Sequence, residues 1–328
     1  MNKQESQEKA IVSVKKHVQA LGSAAAVIAD PLLGNQLITK YAEMYEVPIN
    51  EAQRFYNREK DSFGKLISQS PALQQCTPMS AYLAFGFVMK YKATFDTGRG
   101  ALAYLIPGRR NIGTRDQPNM IWEMQASLTA DGEREARIST GILKKVGHPV
   151  IVHEGDHYKK YMDNATGQIV VEYAEAENPS TKIKSSFVRI VEPDGTVVFK
   201  TFNLTDVKTW EDASNKKNYN KGANPLYTSG IDGQIQESFF KTKTLLHSFK
   251  GYKAIDYGGR EGFVPDTEAA KAINPNYTDD EYADYKEVPA AQIEQPHDEF
   301  KAAVNEPEPV KASVKVQTSG DDDDLFNN

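Results

Sequence analysis

Several short stretches of this sequence carry arginine and lysine at spacings that suit phosphate binding. The first is the segment 108–115, predicted to be a loop, which places Arg109, Arg110 and Arg115 among glycine and asparagine. Arginine presents a planar fork of donors that matches two phosphate oxygens, and glycine lets the backbone approach a ligand closely. The segment therefore predicts contacts to a phosphate backbone, made above all by Arg109 and Arg110.

A second basic stretch lies farther along the chain. A short helix is predicted at residues 131–140, and Arg134 and Arg137 share one of its faces because they are three residues apart. Lys144 and Lys145 continue the positive charge after this helix ends. The four side chains are predicted to form one basic track.

Two further pairs of lysines complete the candidate set. Lys182 and Lys184 are two residues apart on a predicted strand, so they are expected on the same face of a sheet. Lys241 and Lys243 lie in a helix predicted at residues 231–249. They leave opposite flanks of its apolar stripe, so only one of them is expected to face a ligand.

A different chemistry is suggested by acidic and histidine side chains near residue 155. His148, His153, Glu154, Asp156 and His157 are close in sequence and are potential metal ligands. A metal-dependent nuclease that uses His153, Asp156 and His157 is therefore the alternative function. However, Glu-Gly-Asp is typical of a turn whose carboxylate caps the backbone, so we predict a structural role and no metal.

The charge of the chain is divided between a basic body and an acidic end. Residues 261–328 hold 17 Asp and Glu against five Lys, a balance of −12, whereas the first 260 residues have a balance of +6. Basic bodies attract phosphate backbones, and acidic tails often compete with nucleic acid or recruit partners. The division indicates a nucleic-acid partner.

The overall composition indicates a protein of the cytoplasm. The single cysteine, Cys76, excludes an internal disulfide and suits a reducing compartment. No apolar run reaches the ~18 residues that a membrane helix needs. The first 16 residues are charged and do not resemble a signal peptide.

The hydrophobic periodicity predicts an α+β fold in three segments. These are an N-terminal helical lead-in or oligomerisation segment (1–48), a core (49–260) and a disordered acidic tail (261–328). Helices are predicted at 8–21, 31–45, 50–68 and 78–91, the last of them apolar on every face and therefore buried. Strands are predicted at 101–106, 119–128, 149–154, 168–173, 182–191 and 196–202.

Four blocks of sequence follow one another at defined intervals. They are LQQCTPMS at 73–80, AYLIP at 103–107, VHEGDHY at 152–158 and FKTKTLL at 240–246. Their order and spacing resemble the RecT family of phage single-strand-annealing recombinases, over about residues 73–249. In place of the aromatic-containing Gly-Tyr-Lys/Arg-Gly of many relatives, this chain has Thr-Ala-Asp-Gly-Glu-Arg at 129–134.

The resemblance implies a protein that binds single-stranded DNA, forms rings or filaments, and anneals complementary strands without ATP, a cofactor or catalysis. Consistent with this, the sequence has no Gly-x-x-x-x-Gly-Lys-Ser/Thr motif. It also implies a small antiparallel sheet flanked by helices, with DNA in a basic groove between lobes. Arg134 and Arg137 are then the first expected backbone contacts, and Lys243 aligns with the Lys-Thr pair of the family.

The partners that the resemblance implies are the annealed duplex intermediate, a phage exonuclease and the host single-stranded-DNA-binding protein. The chain ends with acidic residues followed by Leu and Phe, which resembles the tip of bacterial single-stranded-DNA-binding proteins. Partner binding is therefore assigned to Asp321, Asp322, Asp323, Asp324, Leu325 and Phe326. Two other interpretations stay open, an electrostatic gate over the DNA groove and a solubilising end.

Overall fold

The computed structural model describes residues 14–96, 98, 100–178, 180–217, 223–256 and 263–273, without the side chains of Lys217 and Phe263. Within this part of the chain, helices form the first third, and small antiparallel sheets with further helices follow. The predicted mixture of helices and small antiparallel sheets is confirmed.

The N-terminal third is helical because local capping signals recur along it. Helix α1 covers residues 14–20, and the other helices are α2 (Ala24–Ala29), α3 (Pro31–Tyr45), α4 (Ile49–Gln69), α5 (Pro71–Gln74) and α6 (Pro78–Lys90). Side chains of Ser23, Asp30, Ser70 and Thr77 accept hydrogen bonds from the first turns of four of these helices. Three of the helices also begin with proline, which suits a first turn.

Helix α6 is the centre of the larger core. Its residues Phe85 and Val88 are at most 1% exposed, as expected for a helix that is apolar all round. The same core includes side chains of α2, α3 and α4, such as Val27, Leu33 and Phe63. The described residues before position 49 therefore belong to one core with the residues that follow them.

One sheet packs against this helical core. Strands β1 (Ala103–Asn111) and β2 (Met120–Leu128) form an antiparallel hairpin, and β9 (Phe263–Pro265) pairs with the other edge of β1. Leu105 and Met124 face the helices and are almost fully buried. Helix α10 (Thr267–Ile273) covers the opposite face through Ala270.

The second sheet has β7 (Ile183–Val191) as its middle strand. On one side β7 pairs with β3 (Lys145–Val146) and β4 (Val150–His153), and on the other with β8 (Val197–Asn203). A separate hairpin consists of β5 (His157–Met162) and β6 (Ile169–Ala174). Three helices pack with this second sheet, namely α7 (Ala130–Ser139), α8 (Leu204–Lys217) and α9 (Glu237–Ser248).

The structure corrects several predicted boundaries. Strand β1 continues to Asn111, so the predicted loop at 108–115 is wrong for its first four residues. The predicted helix at 231–249 is shorter, because Gly230 and Gly233 border a separate 3-10 turn and α9 begins only at Glu237. The predicted tail begins too early, since residues 263–273 form β9 and α10. The rest of the predicted acidic tail lies outside the described residues.

Candidate nucleic-acid interface

The predicted phosphate-binding side chains fall into different environments. Five of them contact carboxylates, namely Arg110, Arg134, Arg137, Lys182 and Lys241. Lys144, Lys145 and Lys184 are exposed, and no carboxylate of the described residues lies within salt-bridge distance of them. The structure therefore does not bring all ten side chains to one surface.

The two arginines of β1 point to opposite faces of the first sheet. The guanidinium of Arg109 is exposed and lies 4.5 Å from the ring centroid of Trp122. Arg110 donates two hydrogen bonds to the carboxylate of Glu123, at 2.8 and 3.0 Å, and this interaction raises the pKa of Arg110. Arg109 is thus exposed beside the Trp122 ring and accessible to a ligand, whereas Arg110 is already paired with the buried carboxylate of Glu123.

Arg134 and Arg137 lie on α7 but do not share an exposed face. Arg137 is 3% exposed, forms an ion pair with Glu133 and lies 4.4 Å from the ring centroid of Phe249. The predicted contact between Arg137 and DNA is therefore not supported in this structure. Arg134 is more accessible, and its guanidinium lies within 3.0 Å of Asp131, Glu135 and His148.

The sequence analysis favours Lys243 over Lys241 as the lysine of α9 that contacts DNA, and their exposures in the structure favour the opposite choice. Lys243 is 3% exposed and its ammonium lies 5.2 Å from the ring centroid of Phe239. Lys241 is exposed and pairs with Glu237 at 2.8 Å. Because Lys243 is buried beside Phe239, Lys241 is the one of these two lysines that faces solvent.

The start of β7 at Ile183 separates Lys182 from Lys184, which were predicted to lie on one strand. Lys182 precedes β7 and its ammonium lies 3.8 Å from Glu154, whereas Lys184 lies within the strand. Lys144 and Lys145 lie at β3, where Lys145 pairs with Val191 of β7. Another exposed cation, Arg189, is on the same strand β7 and was not predicted from sequence.

Sequence reasoning also missed a cavity of about 400 Å³ between the helical third and α7. Its lining includes Arg54, Arg58 and Lys92, together with aromatic and acidic side chains: Tyr41, Phe55, Tyr91, Glu51 and Glu135. The spacing of Arg54 and Arg58, four residues apart on α4, was the available signal. The partners across the cavity come from distant segments, which no local pattern indicates.

The cavity adjoins Arg134, because the same Glu135 that lines it accepts a hydrogen bond from the Arg134 guanidinium at 3.0 Å. On the α4 side, Arg58 pairs with the fully buried Glu59 at 2.8 Å. Burial raises the pKa of Tyr41 to about 12, so its hydroxyl stays protonated at neutral pH. We call this cavity, with its lining cations Arg54 and Lys92 and the adjoining Arg134, the α4–α7 groove.

The alternative metal site does not assemble in the described structure. Asp156 accepts hydrogen bonds from the backbone N–H groups of His153 at 2.8 Å and Ala176 at 3.0 Å. His157 is exposed on β5, and His148 contacts Arg134 instead. Among the described residues, no group of three His, Cys, Asp or Glu side chains is placed to hold a metal ion. The predicted role of Asp156 as a backbone cap is confirmed.

We expect Asp156→Asn to destabilise the fold by about 1–3 kcal/mol at neutral pH, because the partly buried N–H groups of His153 and Ala176 lose a charged acceptor. Burial raises the pKa of Asp156, but the backbone N–H donors lower it further, and the net pKa is below 3.8. This stabilisation is therefore present above the unfolded pKa and is lost as the pH falls through the folded pKa. Urea unfolding at pH 7 and at pH 3 measures the free energy of unfolding of both proteins. A difference between variant and wild type that is larger at pH 3 than at pH 7 would contradict this role of Asp156.

The remaining predicted partner residues, Asp321 to Asp324, Leu325 and Phe326, lie outside the described residues. None of the described helices is both long and apolar enough to cross a membrane.

The comparisons with known proteins found no relative. No protein-family model matches the sequence, and no curated protein is significantly similar to it.

Proposed function

We propose that this protein binds single-stranded DNA and anneals complementary strands without ATP, as the resemblance to RecT-type recombinases implies. The α4–α7 groove is the observation that carries the proposal. Arg54 and Lys92 line its α4 side, and Arg134 adjoins it through Glu135 of α7, so cations from three separate segments of the chain lie in or beside one concave surface. A groove with cations on both walls suits a polyanionic chain, because each phosphate that is neutralised releases counterions.

The nature of these contacts agrees with annealing rather than with sequence recognition. Lysine and arginine bind the phosphates of any sequence and leave the base edges free to pair. The groove walls include the acids Glu51 and Glu135, which limit how tightly one strand is held. The proposal includes assembly into rings or filaments and action in the cytoplasm with an exonuclease and the host single-stranded-DNA-binding protein.

The test is annealing of two complementary fluorescent oligonucleotides without ATP, with a gel that shows whether the strands remain intact. Wild-type protein is expected to accelerate annealing and leave both strands uncut. Arg54→Ala/Lys92→Ala is expected to weaken binding of oligo(dT) and lower the slope of log K against log salt by about 1.4, since each lost phosphate contact contributes about 0.7. Arg58 is left unchanged because it pairs with the buried Glu59.

The matched control is Lys16→Ala/Lys65→Ala, which removes two exposed positive charges at other places on the helical third. It is expected to retain the wild-type salt slope. Equal slopes for all three proteins would contradict the groove as the binding surface. Strands that are cut, with cutting stopped by a chelator, would favour the metal-dependent nuclease instead.

A further inference from the structure

The second sheet has one face that α9 does not cover. Ser186 of β7 is hydrogen-bonded to Thr244 of α9, so the even-numbered positions of β7 face this helix. Because paired residues of antiparallel strands share a face, the opposite face carries the pairs Lys145–Val191, Arg189–Phe199 and Phe187–Thr201. We call these six residues, together with Lys160, the outer sheet face.

Three cations lie on this face. Lys145 and Arg189 are exposed on neighbouring strands, and Lys160 reaches from β5 to donate a hydrogen bond to Thr201 at 2.6 Å. No carboxylate within the described part of the chain is in salt-bridge distance of any of the three. The nearby Glu172 points the other way on its hairpin, where its carboxylate accepts a hydrogen bond from Tyr161.

Aromatic rings lie among these cations. Phe187 has the rings of Tyr158, Tyr173 and Phe199 around it, with centroids 6.1, 5.5 and 6.3 Å away. Phe187 is buried, but Phe199 is half-buried beside the exposed Arg189. The β5–β6 hairpin covers Phe187, so the rings that remain partly accessible beside the cations are the half-buried Tyr158, Tyr173 and Phe199. Cations beside such rings suit single-stranded nucleic acid, whose phosphates and bases need these two kinds of group.

We propose that the outer sheet face binds a second segment of single-stranded DNA, separate from the strand in the α4–α7 groove. This inference rests on the proposed function. Helices α7 and α9 pack on the other side of the second sheet, and α7 lines the groove, so the sheet lies between the outer sheet face and this wall of the groove. Two such surfaces neutralise two like-charged strands independently, which lowers the repulsion that opposes their encounter.

The test compares two steps in one set of proteins, the affinity for a single oligo(dT) strand and the rate at which two complementary strands anneal. Lys145→Ala/Arg189→Ala is expected to leave the affinity for the first strand within about two-fold, because neither residue lines the groove. Its annealing rate is expected to fall at least about ten-fold, with the salt slope of log rate reduced by about 1.4. Lys16→Ala/Lys65→Ala is the control, and Lys145→Arg/Arg189→Lys is expected to restore annealing.

Each other outcome overturns the inference. If the double alanine variant anneals at the wild-type rate, the outer sheet face has no role. If first-strand affinity falls by the same factor as the annealing rate, the face belongs to the first binding surface. If Lys145→Arg/Arg189→Lys does not restore annealing although its thermal unfolding is unchanged, the loss of positive charge does not explain the slower annealing of the double alanine variant. Wild-type protein that does not bind oligo(dT) at all contradicts the proposed function itself, before any variant is compared.

Discussion

Replacing Arg137 by alanine is expected to destabilise the fold by about 3–5 kcal/mol, the usual cost of removing one partner of a buried ion pair. Arg137 is 3% exposed and Glu133 is fully buried, so the carboxylate left behind could not be hydrated. The substitution also removes the guanidinium from the ring of Phe249, which joins α7 to the end of α9. Urea unfolding followed by circular dichroism measures the loss.

Two variants separate this structural role from DNA binding. Glu133→Gln/Arg137→Met removes both charges and fills a similar volume, so it is expected to recover most of the lost stability. Lys144→Ala, at an exposed position five residues after the same helix, is expected to change stability by less than about 0.5 kcal/mol. If Arg137→Ala unfolds at the wild-type urea concentration yet loses DNA affinity, then Arg137 is a DNA contact, as its spacing from Arg134 predicts.

Gly132→Ala is expected to cost about 1–3 kcal/mol or more and to move α7 away from the first sheet. A Cβ atom at this position would overlap the backbone carbonyl of Leu102, which cannot move aside as a flexible side chain would. The same carbonyl accepts a hydrogen bond from the N–H of Thr129, the N-cap residue of α7, at 3.0 Å. Since α7 carries Arg134, its displacement is expected to weaken DNA binding together with stability.

The matched control is Gly64→Ala in α4, where the added Cβ would lie 3.4 Å from Ile28, an ordinary van der Waals distance. A helical glycine without a close neighbour gains about 0.5–1 kcal/mol on replacement by alanine. Thermal unfolding of both variants measures the difference. Equal melting temperatures for the two would show that the close approach of Gly132 to Leu102 is not needed.

Where the sequence predicted the fold well, the signals were local. Helix α3 has its predicted bounds because Asp30 caps it and Pro31 occupies its first turn. Helix α6 begins at Pro78 as predicted, and its burial follows from apolar residues on every side. The turn Pro-Asp-Gly joins β7 and β8, and Gly195 has the positive φ of 92° that favours glycine.

Where the candidate site departed from the prediction, distant contacts decided the outcome. Spacing placed Arg134 and Arg137 on one face of a helix but could not indicate that Phe249, more than 100 residues later, covers part of it. The hydrophobic periodicity also predicted an end of β1 at residue 106, because Arg109 and Arg110 are polar, whereas the strand continues to Asn111. Their strand conformation depends on pairing with β2 and with β9, which is more than 150 residues away in sequence.

The pairing of β9 with β1 has a consequence for how the chain can be shortened. Strand β1 lies between β2 and β9, so a chain that stops at residue 261 would leave one edge of β1 without its partner. Loss of α10 would also uncover Tyr104 and Ile106, both at most 5% exposed. Free strand edges beside uncovered apolar side chains promote self-association. Truncation for crystallisation is therefore expected to yield soluble protein only if it keeps residues up to 273, with light scattering as the measure.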